Sequence, residues 1–264
     1  MAVATCCGAV SLTAQATAPV KDERVWSLEG LRAGFCVRFL TDPEMAAREL
    51  EDGFRLLRAD QDQTLHPALR QVVKTQPEFA SWTPSNLCFY YSDAVKVGNQ
   101  RIAERDARRA QRLGIWSLGA VEQETGKSRD IVLDLVASRE RLRAAAANSL
   151  VQVHEADAAF RAASDISPDQ YTLTIGKTQL VWSGRATGDS SRVEQPIVDS
   201  WRVPGVRGVT WSAQLSLTPA WTRAVVGSLR VEGKGDLAKM LKASPIRFVG
   251  PFYRGGRAEL RFSR

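Results

Sequence analysis

Ser138 to Ala163 reads SRERLRAAAANSLVQVHEADAAFRAA. Leu142, Ala146, Ser149, Val153, Ala156, Phe160 and Ala163 recur in it at spacings of three and four, the interval that places side chains on one face of an α-helix. At 1.5 Å per residue such a helix would run roughly 40 Å. It divides the chain into two parts of different character.

The part before it is mixed. Val25 to Leu40 is strand-like, with Gly30 and Gly34 as punctuation. Thr41-Asp42-Pro43-Glu44 starts a helix, because Thr41 and Glu44 have capping-box spacing and Pro43 suits a first turn. Met45, Leu50, Phe54 and Leu57 would lie along one side of that helix to about Arg58. Pro67 to Lys74 makes a second, short helix after a loop over Gln61 to Leu65. Leu87 to Val97 is a strand turned by Gly98-Asn99, Ile102 to Arg112 a short helix, and Leu113 to Val121 and Asp130 to Ala137 two more strands.

After Ser167-Pro168-Asp169 the pattern becomes β. Thr172 to Ile175, Gly176-Lys177 and Thr178 to Trp182 read as a hairpin. Val209 to Leu217 alternates apolar and polar positions, and Ala224 to Val231, Ile246 to Val249 and Ala258 to Phe262 are further strands. One helix, Asp236 to Lys242, interrupts them. Mixed elements followed by a run of strands give an α+β class: a mixed part with one long helix, then a mainly antiparallel β part. The expected divisions are a leader over 1–20, an α+β part over 21–165 and a basic β-rich part over 166–264.

Met1 to Val20 carries no charge and ends in Ala14-Gln15-Ala16-Thr17-Ala18-Pro19 before Lys21-Asp22-Glu23-Arg24. A small apolar stretch closed by an A-x-A triplet is the form of a bacterial secretory signal peptide, so a periplasmic or secreted protein is expected, cut after Ala16. The stretch lacks the opening Lys or Arg of such a signal. A lipid anchor on Cys6 is a variant, poorly matched because Thr5 is too large before it. No later window is a spanning helix.

Outside the leader only Cys36 and Cys88 remain, both in strand-like runs, and in an exported chain they pair as one disulfide. Closing so long a loop is worth about 4 kcal/mol on chain entropy. Residues 1–165 hold 21 Lys+Arg against 22 Asp+Glu, and residues 166–264 hold 15 against 7, so the positive excess lies in the last part. A basic β surface suits an acidic partner, with Arg230 and Arg247 projecting from their strands. Arg101, Arg105, Arg108 and Arg112, at i, i+4, i+7 and i+11, would add a basic stripe on a helix.

The remaining motifs are weak. His66 precedes Pro67, and His154 has Asp157 one helical turn away, without the further ligands a metal needs. Gly188-Asp189-Ser190-Ser191 has no histidine after it to act as base. Gly233-Lys234-Gly235-Asp236-Leu237-Ala238 matches a dinucleotide fingerprint between strand and helix, but no βαβ series surrounds it, so no cofactor is expected. Six of seven tryptophans neighbour a serine, and packing between layers is their expected role.

These observations point to an exported envelope protein without catalytic apparatus. It would be a binding or accessory subunit contacting a protein, a membrane-associated assembly or an acidic envelope component, with nucleic acid not expected. The alternative is an extracytoplasmic hydrolase using paired carboxylates among Asp130, Asp134 and Asp199.

Overall fold

The computed structural model describes residues 23–103, 111–161, 169–192, 197–205, 210–218, 221–250 and 252–264. The first strand, β1 (Glu23–Thr41), is followed by α1 (Pro43–Ala47), β2 (Phe54–Leu56), α2 (Pro67–Thr75), β3 (Thr83–Val97) and β4 (Gln100–Ala103). Then come β5 (Gln111–Glu122), β6 (Ser128–Ala137), α3 (Glu140–Asn148), β7 (His154–Arg161), β8 (Asp169–Ile175) and β9 (Thr178–Arg192). The chain closes with β10 (Ile197–Pro204), β11 (Thr210–Thr218), β12 (Trp221–Gly233), α4 (Asp236–Ala243), β13 (Arg247–Val249), β14 (Phe252–Arg254) and β15 (Arg257–Ser263).

Strand pairing closes a ring in the order β1, β3, β5, β6, β10, β11, β15 and back to β1, a seven-stranded barrel. Every contact in the ring is antiparallel except the one between β6 and β10. A second circuit leaves β1 through β14, β12, β9, β8 and β7 and returns to β6. The strands β1, β3, β5 and β6 therefore form a wall shared by both circuits. Strands from both sides of position 165 build this one sheet.

A wall covered on both faces must be apolar on both, because successive side chains of a strand point to opposite sides. Gly34-Phe35-Cys36-Val37-Arg38-Phe39-Leu40 meets this requirement. Cys36 belongs to the core inside the barrel with Cys88, Tyr90, Leu113 and Ile115. Phe35, Val37 and Phe39 belong to a second core on the other face with Leu87, Phe89, Tyr171 and Trp182. Gly114 lets β5 approach this second core, since a Cβ there would stand 2.5 Å from the Phe89 ring and 2.6 Å from a Val136 methyl.

The expected α+β class is corrected: among the described residues the chain is mostly β, with 61 % strand and four short helices. The helix expected over 138–163 ends at Asn148. Val151 N–H bonds the Ala146 carbonyl at 3.1 Å and Leu150 N–H the Ala147 carbonyl at 3.0 Å, a Schellman closure. The left-handed residue such a closure needs is Leu150, with φ of 60°, where glycine is usual, so the stop has no glycine to announce it. Beyond it, His154 to Arg161 is a strand paired with β8. Ala156 and Phe160, four residues apart, fit a helical and a strand period equally.

Two other helices are corrected. The chain over 41–58 makes only α1, capped by Asp42, whose Oδ1 accepts from Glu44 N at 2.9 Å and Met45 N at 3.2 Å. Thr41 is instead the buried end of β1, sharing a 2.8 Å hydrogen bond with Ser85. Both described ends of the helix expected over Ile102 to Arg112 are strand: Ile102 pairs with Val95 across the Gly98-Asn99 turn, and Gln111 and Arg112 pair with β3, while residues 104–110 lie outside the described residues. The leader over 1–20, with Cys6, lies outside the described residues. No described helix is long and apolar enough to cross a membrane.

Candidate functional site

The barrel interior is not packed throughout. Between its wall and the segment from Leu57 to Leu69 lies a cavity of about 710 Å³, within the size range of small-molecule sites. The alternation of the wall strands sets its chemistry in levels.

The inner level is apolar. Cys36 and Cys88 stand directly opposite each other on β1 and β3, 4.0 Å apart at Cα, and are joined as a disulfide. Tyr90 and Ile115 line the cavity beside them. Two residues along each strand, the same face turns polar. Arg38 on β1 is in register with Asn86 on β3, which is in register with Ser117 on β5. Neighbouring strands lie about 4.8 Å apart, so Arg38 and Ser117 have backbones roughly 10 Å apart with Asn86 between them.

The fourth member of this level is Asp130 on β6. A register shift between Trp116 and Ser117 in the pairing of β5 with β6 re-aims the strand here. Asp130 Oδ2 accepts hydrogen bonds from Asn86 Nδ2 at 3.2 Å and Ser117 Oγ at 3.1 Å. These fix its carboxylate at the polar level. Arg38 is half-buried, and its side chain makes no hydrogen bond or ion pair among the described residues. The cavity thus holds a cation and a carboxylate on different strands of one level.

The mouth is formed by the Gln61 to Leu65 turn and His66. Asp62 is engaged locally, accepting from Thr64 N at 2.8 Å and Thr64 Oγ1 at 2.7 Å. His66 caps α2, its Nδ1 accepting from Ala68 N at 3.2 Å. Its ring stacks on Phe248, with centroids 3.9 Å apart and planes at 27°. Phe248 is the β13 partner of Arg38. Burial, and then the charge of Arg38, lower the His66 pKa from the ordinary imidazole value. Arg129 lines the same cavity and pairs with Glu122 at 3.5 Å.

The structure brings few of the sequence-singled residues to this site. Cys36, Cys88, Asp130 and His66 line it. Arg101 lies on β4 and pairs with Glu29 at 2.6 Å. Arg112 is a half-buried β5 residue with its guanidinium over the Tyr91 ring at 5.3 Å. Arg105 and Arg108 lie outside the described residues, and the helical stripe they were to complete is replaced by strands at both ends. Arg230 is exposed and pairs with Glu232 at 2.7 Å. Arg247 is exposed and donates to the Leu241 carbonyl at 2.7 Å.

His154 is not one helical turn from Asp157. Its Nδ1 meets Asp134 Oδ1 at 2.7 Å, and Gln152 Nε2 meets its Nε2 at 2.7 Å. Burial raises the Asp134 pKa, partly countered by His154. The fingerprint-like glycines serve packing. A Cβ on Gly233 would collide with the Lys177 carbonyl, and Thr178 Oγ1 accepts from Ala238 N at 3.2 Å at the start of α4. No grouping of three or more His, Cys, Asp or Glu fit to hold a metal occurs among the described residues.

Arg38, Asn86 and Ser117 escape a reading based on motifs. The available signal is a charge isolated in an apolar strand, as Arg38 is between Val37 and Phe39. In a strand buried on both faces, such a residue must face something polar.

A β-barrel with an interior cavity of this size can hold a small molecule. Among solved structures, an acetoacetate decarboxylase from Legionella pneumophila matches with a TM-score of 0.51 at 10 % identity, over 96 % of this chain and 92 % of that one. The enduracididine biosynthesis enzyme MppR, solved with pyruvate, matches with a TM-score of 0.47 at 10 % identity, over 95 % of this chain and 91 % of that one. The likeness is one of fold. No family model matches the chain, and no curated protein matches it.

The expected non-catalytic binding or accessory subunit is corrected to the extent that the comparison lends it no support: the solved structure sharing the fold is, by its name, a decarboxylase. The paired-carboxylate hydrolase is corrected as well. Asp130 and Asp134 are four residues apart on one strand, roughly 13 Å along it, and only Asp130 lines the cavity. The side chain of Asp199 lies outside the described residues. Neither the fold nor its neighbours supports export; among the described residues, the Cys36–Cys88 disulfide is a feature that suits an oxidising compartment.

Proposed function

We propose that the chain is an enzyme that moves a proton beside the carbonyl of a small oxo acid held inside the barrel. Arg38 anchors the carboxylate, for which a guanidinium offers paired donors. Asp130, oriented by Asn86 and Ser117, takes the proton from the carbon next to the carbonyl and returns it. The observation carrying this reading is the placement of Arg38 and Asp130 at one level of one cavity. Carbonyl chemistry through a covalent imine needs a lysine amine. None of the described lining residues is lysine, so the chemistry proposed is acid–base without a covalent intermediate. The acetoacetate decarboxylase sharing the fold acts, by its name, on a short oxo acid, which agrees in substrate class.

The test uses 2-oxobutanoate in deuterated water, with exchange at its C3 followed by proton NMR and binding by calorimetry. The wild-type protein should bind the acid and accelerate exchange. Arg38→Met should weaken binding by about 10- to 100-fold, the worth of a charge-assisted contact. Asp130→Asn should still bind but lose about 100-fold or more in exchange, the usual contribution of a positioned base. Absence of binding by the wild type, or indifference to both substitutions, would overturn the reading.

A further inference from the structure

We infer that His66 works as a neutral imidazole whose Nε2–H donates to the carbonyl oxygen of the acid held in the cavity. The inference rests on the proton-transfer reading above and adds to it the group that receives the developing negative charge.

The tautomer follows from the fold. Nδ1 accepts the backbone N–H of Ala68 at 3.2 Å. A nitrogen that accepts that bond carries no proton of its own, so the single proton of the neutral ring sits on Nε2. Protonating the ring would break the α2 cap. It would also add a second positive charge beside Arg38 and at a helix N-terminus, where positive charge is disfavoured. The lowered pKa agrees with this. The charged groups lining the same cavity are Arg38 on β1, Asp62 on the mouth turn, and Arg129 and Asp130 on β6.

Orientation is fixed as well. The ring is held by the cap on one edge and by the stack on Phe248 across its face. Phe248 sits opposite Arg38 in the β1–β13 register, so imidazole and guanidinium enter the cavity from neighbouring points. When Asp130 removes a proton from carbon, the electron pair of that C–H bond moves to form a carbon–carbon double bond. The carbonyl π pair moves onto oxygen, which accepts the Nε2–H hydrogen bond. Return of the proton from Asp130 reverses each change, and no other reactant is needed. A neutral imidazole suits this role because it donates a hydrogen bond without first competing as an acid for the carboxylate.

The experiment pairs imidazole ¹⁵N NMR with the exchange assay. In the free protein, Nδ1 should be the unprotonated nitrogen and Nε2 the protonated one, with titration below the ordinary value of about 6.5. His66→Asn keeps a side chain that caps helices well but removes the Nε2–H. It should melt like wild type, bind 2-oxobutanoate within about twofold, and lose roughly 100-fold in exchange, as when one donor to a developing oxyanion is removed. His66→Ala should lose both the rate and some melting temperature. An Nδ1-protonated ring, or a His66→Asn variant exchanging at the wild-type rate while Arg38→Met and Asp130→Asn behave as expected, overturns the inference alone. Failure of wild-type binding overturns the parent reading and this one with it.

Discussion

The two faces of the shared wall are made by alternate residues of the same strands, yet one is solid and the other hollow. On the solid face, Phe35 lies with its ring centroid 4.7 Å from Tyr171, 6.2 Å from Phe89 and 6.3 Å from Trp182. On the hollow face, the next residues along β1 are Cys36 and Arg38, lining the cavity. One segment thus supplies stability through its odd positions and a site through its even ones. The difference teaches that substitutions on adjacent residues should separate stability from binding.

The sharpest break of that comparison is Phe35→Ala. It should cost about 3–5 kcal/mol, the range for emptying a buried aromatic position. Chemical denaturation would measure the loss, and any folded fraction should still bind 2-oxobutanoate. By contrast, Arg38→Met should change the melting temperature little while weakening binding. If Phe35→Ala instead removed binding without loss of stability, the division between faces would be wrong.

The disulfide comes next, and it belongs to both roles. It joins residues 52 apart in sequence at the apolar level of the cavity. Replacing both cysteines by serine should cost about 4 kcal/mol, the chain-entropy worth of a bridge closing a loop of this size. The loss falls on stability first, because Arg38 and Asn86 remain in register through the backbone pairing of β1 with β3. Denaturation of the double variant, beside the oxidised and reduced wild type, measures it. Equal stability in all three would show that the bridge adds nothing beyond that pairing.

What the sequence reveals of this arrangement follows from how local each signal is. The β8–β9 hairpin, β11, α2 and α4 are legible because turn residues and period sit within one short stretch. The closing of the barrel is not, because it rests on pairings such as Val25 with Arg261 and Trp201 with Asp130, which no local pattern encodes. The stretch after Asn148 misleads because a spacing of four, as from Ala156 to Phe160, satisfies both a helical and a strand period, and the helix is closed by Leu150 without a glycine. The site is harder still. Arg38, Asn86, Ser117 and Asp130 are scattered over 93 positions and meet only through register. His66 is visible as a residue before Pro67, but its role depends on Arg38 and Phe248, which lie far from it in the chain.

The smallest expected effect concerns acid and reaches the hollow face through His66. Its folded pKa lies below the ordinary value because burial and Arg38 oppose its charge. In the unfolded chain it titrates near about 6.5. As pH falls through the window between these two values, the unfolded state takes up a proton that the folded state does not, so stability falls with pH. The loss begins near the unfolded value and levels off once pH passes below the folded one. His66→Asn removes the titrating group while keeping a capping side chain, so its stability should be flatter across that window than that of wild type. Phe35→Ala, on the other face, should shift the whole curve down and leave its slope there unchanged. Denaturant unfolding at several pH values would read both. A His66→Asn curve as steep as that of wild type would show that the acid sensitivity arises elsewhere and that the cap and Arg38 do not hold this ring neutral.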